Sequence, residues 1–175
     1  MKKLIALLLA VLVLTALTAC DTQTPTNTTG TAPTAPTDPV DPGTPEEKFQ
    51  FTYEGVALVP GAAFDPAVLP EADSVFTVPS CAIEGTDNVY SYPVLEVTAY
   101  NDGTGEVIYS IYLTDANTPT EEGLYVGDDL ARVTELYGED YTQNGAEITY
   151  TKGATTLNMI INGDSVISIE YRMAT

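Results

Sequence analysis

Apolar residues are distributed along this chain in three regimes. From Leu4 to Ala16 they run almost unbroken, interrupted only by Thr15. Between 21 and 48 they nearly vanish, and Val40 is the one apolar residue larger than alanine. From about 50 onward they return as short alternations, the period-2 signature of half-buried strands.

The last third of the chain shows these alternations most clearly. Leu130, Val133, Thr134 and Tyr137 fall at i, i+3, i+4 and i+7, one face of a helix. Asp128 or Asp129 suits its N-cap, and Gly138 the position just past its end. Ile148 and Tyr150 then alternate with Thr149 and Thr151, and Leu157, Met159 and Ile161 alternate with Asn158 and Ile160. Asn162-Gly163 is a two-residue hairpin signal. Val166 to Met173 reads as a closing strand with Ile167, Ile169 and Tyr171 on one side.

Earlier phrases match later ones in the same order. Tyr53-Glu54-Gly55-Val56 matches Glu121-Glu122-Gly123-Leu124, and Val59-Pro60-Gly61 matches Tyr125-Val126-Gly127. Gly85 to Tyr92 matches Gly145 to Tyr150, and Glu106 to Tyr112 matches Asp164 to Tyr171. The first copy would place its helix near Asp65-Pro66, with Pro at the tolerated first position, ending at or before Pro70. Asn101-Asp102-Gly103 marks its last hairpin. These patterns predict an α+β domain of two similar halves, about 51–114 and 121–173. Each half is a short helix plus about three antiparallel strands, with the helices burying their apolar faces on the sheets. Residues 49–175 form the single domain.

The first nineteen residues read as a signal peptide: Met1-Lys2-Lys3 is a positive start, and the apolar run behind it is too short to span a bilayer. Leu17-Thr18-Ala19-Cys20 resembles the bacterial lipobox. That resemblance implies a diacylglyceryl group on the Cys20 thiol and cleavage that leaves Cys20 as the new N-terminus. Two acyl chains anchor a protein stably where one does not, at about 0.8 kcal/mol per buried methylene. The membrane is therefore the first expected partner, reached through lipid on Cys20, and the expected location is its extracytoplasmic face.

Residues 20–48 hold the lipidated cysteine and a stalk. The segment 21–48 has nine Thr and six Pro and no aromatic residue. Such a segment buries too little apolar surface to offset chain entropy and stays disordered. Its Thr-Pro and Asp-Pro steps bias it toward polyproline II, reaching at most roughly 85 Å at 3.1 Å per residue. Thr/Pro-rich stalks are also typical carriers of O-glycans.

Charge narrows the partners. After Cys20 the chain keeps 25 acidic and four basic residues, a net −21, and 50–175 alone carries twenty acids against Arg132, Lys152 and Arg172. Nucleic-acid binding rests on Lys and Arg neutralising phosphates, so it is excluded. Anionic lipid headgroups are disfavoured on the same ground. With Cys20 lipidated, Cys81 has no partner thiol within the chain. The domain is expected to lack a disulfide, and Cys81 reads as a buried small hydrophobe.

The chain has no histidine. That removes His-activated nucleophiles and the usual zinc sites. No glycine-rich phosphate loop occurs. No catalytic residue and no cofactor is therefore expected. Carboxylate pairs survive this exclusion, at Asp128/Asp129, Glu139/Asp140 and Glu121/Glu122, and a glycan hydrolase would need two of them across one cleft. Helix capping and solvated loops are the plainer reading of each pair. Asn101, Asp102 and Glu106 are weak candidates for a hard cation such as calcium, with a hairpin turn as the plainer reading. Eleven tyrosines remain, and Tyr90, Tyr92, Tyr109 and Tyr112 are the candidates for a contact surface, since tyrosine joins an apolar body to a polar tip.

Pro79 to Asp87, Ile108 to Asp115, Val126-Gly127-Asp128-Asp129 and Tyr137 to Tyr141 resemble phrases of a group of small Firmicutes surface lipoproteins. The helix-plus-hairpins plan more loosely resembles the beta-lactamase inhibitor protein fold and the small outer-membrane assembly lipoproteins. The first resemblance implies location and fold, and the second a binding module without catalysis. The expected function is a non-enzymatic binding or interaction module outside the membrane, with an envelope or extracellular protein or glycan as partner. A structural envelope protein and a carboxylate-based glycan hydrolase are the alternatives.

Overall fold

A computed structural model of the chain describes residues 47–80, 85–101 and 103–174. The signal peptide, Cys20, the stalk up to residue 46, Cys81 and Asp102 lie outside the described residues.

Strands dominate. They are β1 (Phe51–Tyr53), β2 (Val56–Leu58), β3 (Ala63–Phe64), β4 (Ser74–Pro79), β5 (Thr86–Ser91), β6 (Leu95–Asn101) and β7 (Glu106–Leu113), then β8 (Thr142–Asn144), β9 (Glu147–Lys152), β10 (Thr155–Asn162) and β11 (Ser165–Met173). The α-helix among the described residues is α1 (Leu130–Tyr137). Half of the described residues are strand and 9% are helical.

That composition overturns the expectation of an α+β domain whose two halves each carry a helix: the described residues are mostly antiparallel sheet. In the first half the expected helix is one 3-10 turn, Pro66–Val68, capped by the Asp65 side chain, which accepts from the Ala67 N–H at 3.0 Å. The residue before a proline is pushed toward extended geometry. Leu69, which precedes Pro70, sits at φ −102°, ψ 165°. With Pro66 at the start and Pro70 at the end, too few residues remain to close a second turn. The matched phrases differ here too: Tyr53-Glu54-Gly55-Val56 joins β1 to β2, whereas Glu121 to Leu124 forms a turn.

The main sheet is antiparallel and has nine strands, in the order β4-β5-β6-β7-β11-β10-β9-β8, with β3 paired to β7. Two meanders, β4 to β7 and β8 to β11, meet at its centre, where Tyr112 faces Glu170, Ile111 faces Tyr171 and Ser110 faces Arg172. Each meander bends at a bulge, between Thr98 and Ala99 in one and between Ile160 and Ile161 in the other. Each is also crossed by a loop in the same manner. Gly61 N–H donates to Ile108 O and Gly127 N–H to Val166 O, both at 2.8 Å.

The bulges decide which residues reach the core. Thr98 pairs with Ser110 and Ala99 with Ile108, leaving Tyr109 as the extra residue, and Ile167 is extra in the same way. An extra residue reverses the alternation locally. Ile169 and Tyr171 are therefore buried with Val166, while Ile167 is 50% exposed on the opposite face. This corrects the expectation that Ile167, Ile169 and Tyr171 share one side.

One face of the sheet builds the core. Leu95, Val97, Ile111, Ile148, Leu157, Met159, Ile169 and Tyr171 are wholly buried there. Phe49, Phe51, Leu58, Phe64, Leu69, Leu124 and Val133 cover them from the β1–β2 hairpin, the connecting loops and α1.

Candidate functional site

The other face of the sheet has no packed element among the described residues. Its side chains are absent from the core cluster. An antiparallel sheet of this kind is packed on one side and solvated on the other. Across the middle strands one row runs Ser91, Glu96, Tyr112, Glu170, Asn158, Thr149 and Thr142 in register. The next row runs Phe76, Val89, Thr98, Ser110, Arg172, Thr156 and Thr151.

Hydrogen bonds hold this face in place. Arg172 grips Glu170 through Nη2 at 2.6 Å and Nε at 2.8 Å, with Glu147 at 3.7 Å. The Glu170 hydrogen bond, followed by the charges of Glu170 and Glu147 and by the nearby Tyr109, holds the Arg172 pKa above its ordinary value against some desolvation. Thr149 Oγ1 donates to Asn158 Oδ1 at 3.0 Å, and Asn158 Nδ2 donates to Thr156 Oγ1 at 2.9 Å. Ser91 Oγ donates to Glu96 at 3.1 Å. A face whose polar groups are already ordered loses little side-chain entropy on binding. Tyr112, at 36% exposed, and Ile167 add apolar area beside these groups.

The four tyrosines singled out from the sequence are split between the two faces. Tyr109 and Tyr112 lie on the open face. Tyr90 and Tyr92 belong to the core, 8% and 4% exposed, which corrects their reading as contact residues. Tyr90 packs edge-on against Phe64, and Tyr92 packs at a tilt against Tyr53. The physical cause is strand parity: both residues of β5 and its exit share the pleat side of Val97 and Leu95.

Of the cation candidates, Asn101 and Glu106 are cross-strand partners of β6 and β7, but each side chain is engaged elsewhere. Asn101 Oδ1 accepts the Gly103 N–H at 2.7 Å and so closes a hairpin turn. Glu106 accepts Asn88 Nδ2 at 2.5 Å and the Tyr90 hydroxyl at 2.8 and 3.0 Å, on the packed side. Among the described residues no group of three or more His, Cys, Asp or Glu could hold a metal ion.

The pairs Asp128/Asp129 and Glu121/Glu122 have structural partners. Asp129 caps α1 by accepting the Arg132 N–H at 2.8 Å, and Asp128 accepts the Tyr125 N–H at 2.8 Å. Glu121 accepts Thr52 Oγ1 at 2.6 Å, whereas Glu122 accepts the Tyr137 hydroxyl at 2.7 Å. Glu122 does share a cleft of about 250 Å³ with Asp140, Phe49, Tyr137, Tyr150 and Lys152. Lys152 Nζ rests over the Phe49 ring, 4.7 Å from its centroid. Burial, aided by Tyr141 and Glu139, pushes the Tyr150 phenol up to about 12. Asp129, Leu130, Ala131, Thr134 and Asp164 line a shallower depression.

Sequence reasoning passed over Arg172, the cation at the centre of the open face. Its signal was present in the alternation of β11, where Ile169 and Tyr171 on the core side leave Glu170 and Arg172 on the other. No protein family model, curated protein or solved structure matches this chain. Among the described residues no helix is long and apolar enough to cross a membrane.

Proposed function

We propose that this chain is an extracytoplasmic lipoprotein, anchored through lipid on Cys20, whose folded domain is a non-enzymatic binding module that uses the open face of its sheet. The observation that carries the reading is the uncovered, pre-ordered face around Tyr109, Tyr112 and the Arg172–Glu170 pair. Tyrosine beside paired charges suits an envelope protein or glycan, because the ring supplies apolar area and the hydroxyl a directional bond. The net −17 of residues 50–175 directs the choice away from nucleic acid.

The test is a crosslinked pulldown from intact cells with three forms: the native chain, Cys20→Ala, and the double variant Tyr109→Ala/Tyr112→Ala. A partner captured by the native chain and lost from the anchored double variant supports the open face. A partner retained by the double variant overturns it. Absence of any partner moves the weight to a structural envelope role.

One observation favours a second reading, a carboxylate-based glycan hydrolase: Glu122 and Asp140 line one cleft. Release of soluble sugar from purified cell wall by the native chain, abolished in Asp140→Asn, would establish it. No release by the native chain removes it.

A further inference from the structure

The two edges of the main sheet differ in kind. β8, at one edge, has three residues, Thr142, Gln143 and Asn144, all polar. β4, at the other, has six residues and no charged side chain. Val75, Phe76 and Val78 are 53%, 68% and 44% exposed along it. Natural sheets blunt their edges with short strands, charges or prolines. β4 carries only Pro79, at its very end.

The backbone of β4 has a defined outward side. Ser80 N–H donates to Gly85 O at 3.1 Å, and the register with β5 is unbroken from Ser74 to Pro79. In an antiparallel ladder hydrogen-bonded pairs alternate. Ser74, Phe76 and Val78 therefore turn their backbone groups toward β5. Val75 and Thr77 turn their N–H and C=O away from it, toward a side where no described strand pairs.

We infer that β4 pairs with β4 of a second copy of this chain, antiparallel and about a two-fold axis, so that two nine-stranded sheets join into one. A foreign partner chosen by an acidic domain would use charge, and this strand has none. Recognition here falls to backbone pairing and apolar contact, which an identical strand supplies. Charge also favours this edge over other surfaces: with twenty acids against three bases in 50–175, copies repel almost everywhere else.

The outward groups fix the register. Val75 of each copy faces Thr77 of the other and exchanges both N–H···O bonds with it. Phe76 faces Phe76 in the intervening pair without hydrogen bonds, where side chains lie closest. Shifting by two residues one way would place Pro79, which lacks an N–H, in the ladder, and shifting the other way would call on Asp73, whose N–H already donates to Ser91 O at 2.8 Å. In the inferred register the Asp73 carboxylates lie at opposite ends, so no like charges meet.

Sedimentation equilibrium on the full mature chain, with Cys20→Ser and Cys81→Ser to remove native thiols, tests the association. One strand pair is a small interface, so dimerisation is expected at micromolar concentration, within about 1–200 µM. Val75→Pro deletes an outward N–H without touching the β5 ladder, and raises the dissociation constant at least about tenfold. Near-ultraviolet circular dichroism verifies that this variant keeps its fold. In the same background Phe76→Cys forms a disulfide-linked dimer on mild oxidation, because Cα atoms of such a pair lie about 4.5 Å apart, whereas Val78→Cys does not. A chain that stays monomeric throughout overturns the inference. So does a dimer that Val75→Pro leaves unchanged, or a Val78→Cys crosslink as efficient as that at Phe76.

Discussion

Tyr92 and Tyr150 are both 4% exposed and both end in a hydroxyl, yet the two hydroxyls differ in their surroundings. Tyr150 donates to Gly138 O at 2.6 Å, which ties the end of α1 to β9. The Tyr92 hydroxyl is buried and has no hydrogen-bond partner among the described residues. A buried polar group without a partner forfeits its hydration and receives nothing in return. Tyr92→Phe is therefore expected to be neutral or to stabilise the domain by up to about 1 kcal/mol, and Tyr150→Phe to destabilise it by about 1 kcal/mol. Urea unfolding of the two variants measures the contrast, and equal losses would refute it. At this scale the sequence told tyrosine from tyrosine poorly. Residue type says that a strand will accept the side chain, but not which face receives it, and Tyr90 and Tyr92 went to the core through parity alone. Tyr109 reached the open face because it is the extra residue of a bulge, which no local pattern announces.

Whole elements were more legible where cap and period agreed. The spacing of Leu130, Val133 and Tyr137, framed by Asp129 and Gly138, matches α1 residue for residue, and Asn162-Gly163 is the turn between β10 and β11. Asp65-Pro66 offered the same opening signal, but Pro70 left room for a single turn. β4 and β8 were not anticipated at all. One is exposed along its whole length and the other is short and polar, so neither shows an alternation of buried and exposed residues. The capping role of Asp129 leads to a direct test. Asp129→Ala leaves the N-terminal N–H groups of an eight-residue helix with one acceptor fewer, and is expected to cost about 1 kcal/mol, most of it restored in Asp129→Asn. Thermal unfolding of both variants reads this. If Asp129→Ala were silent in stability, capping would not be the reason for an aspartate at this position.

For the molecule as a whole the dominant quantities are the excess of acid and the number of phenols inside it. Burial is the leading cause that raises the pKa of Tyr53, Tyr90, Tyr92, Tyr137, Tyr150 and Tyr171 above the ordinary value near 10. For Tyr150 the folded value is about 12. A phenol that ionises later in the folded chain than in the unfolded one makes the folded chain bind more protons between those two values. Stability is then fully present below pH 10 and falls as pH rises toward 12, with a slope of about 1.4 kcal/mol per pH unit for each phenol titrating in that window. Repulsion acts in the same direction, since every phenolate adds to a chain with 25 acids and six bases. Salt screens the repulsion between exposed charges but leaves the buried phenols largely unscreened. The urea midpoint is thus expected to hold between pH 7 and 9 and to drop steeply from pH 10 to 12. Raising the salt should recover only part of that drop. Tyr171→Phe, which removes one deeply buried phenol beside Thr120 and Glu121, is expected to flatten the slope. A midpoint independent of pH up to 11.5, or a drop fully reversed by salt, would mean that surface charge and not the buried phenols governs alkaline stability.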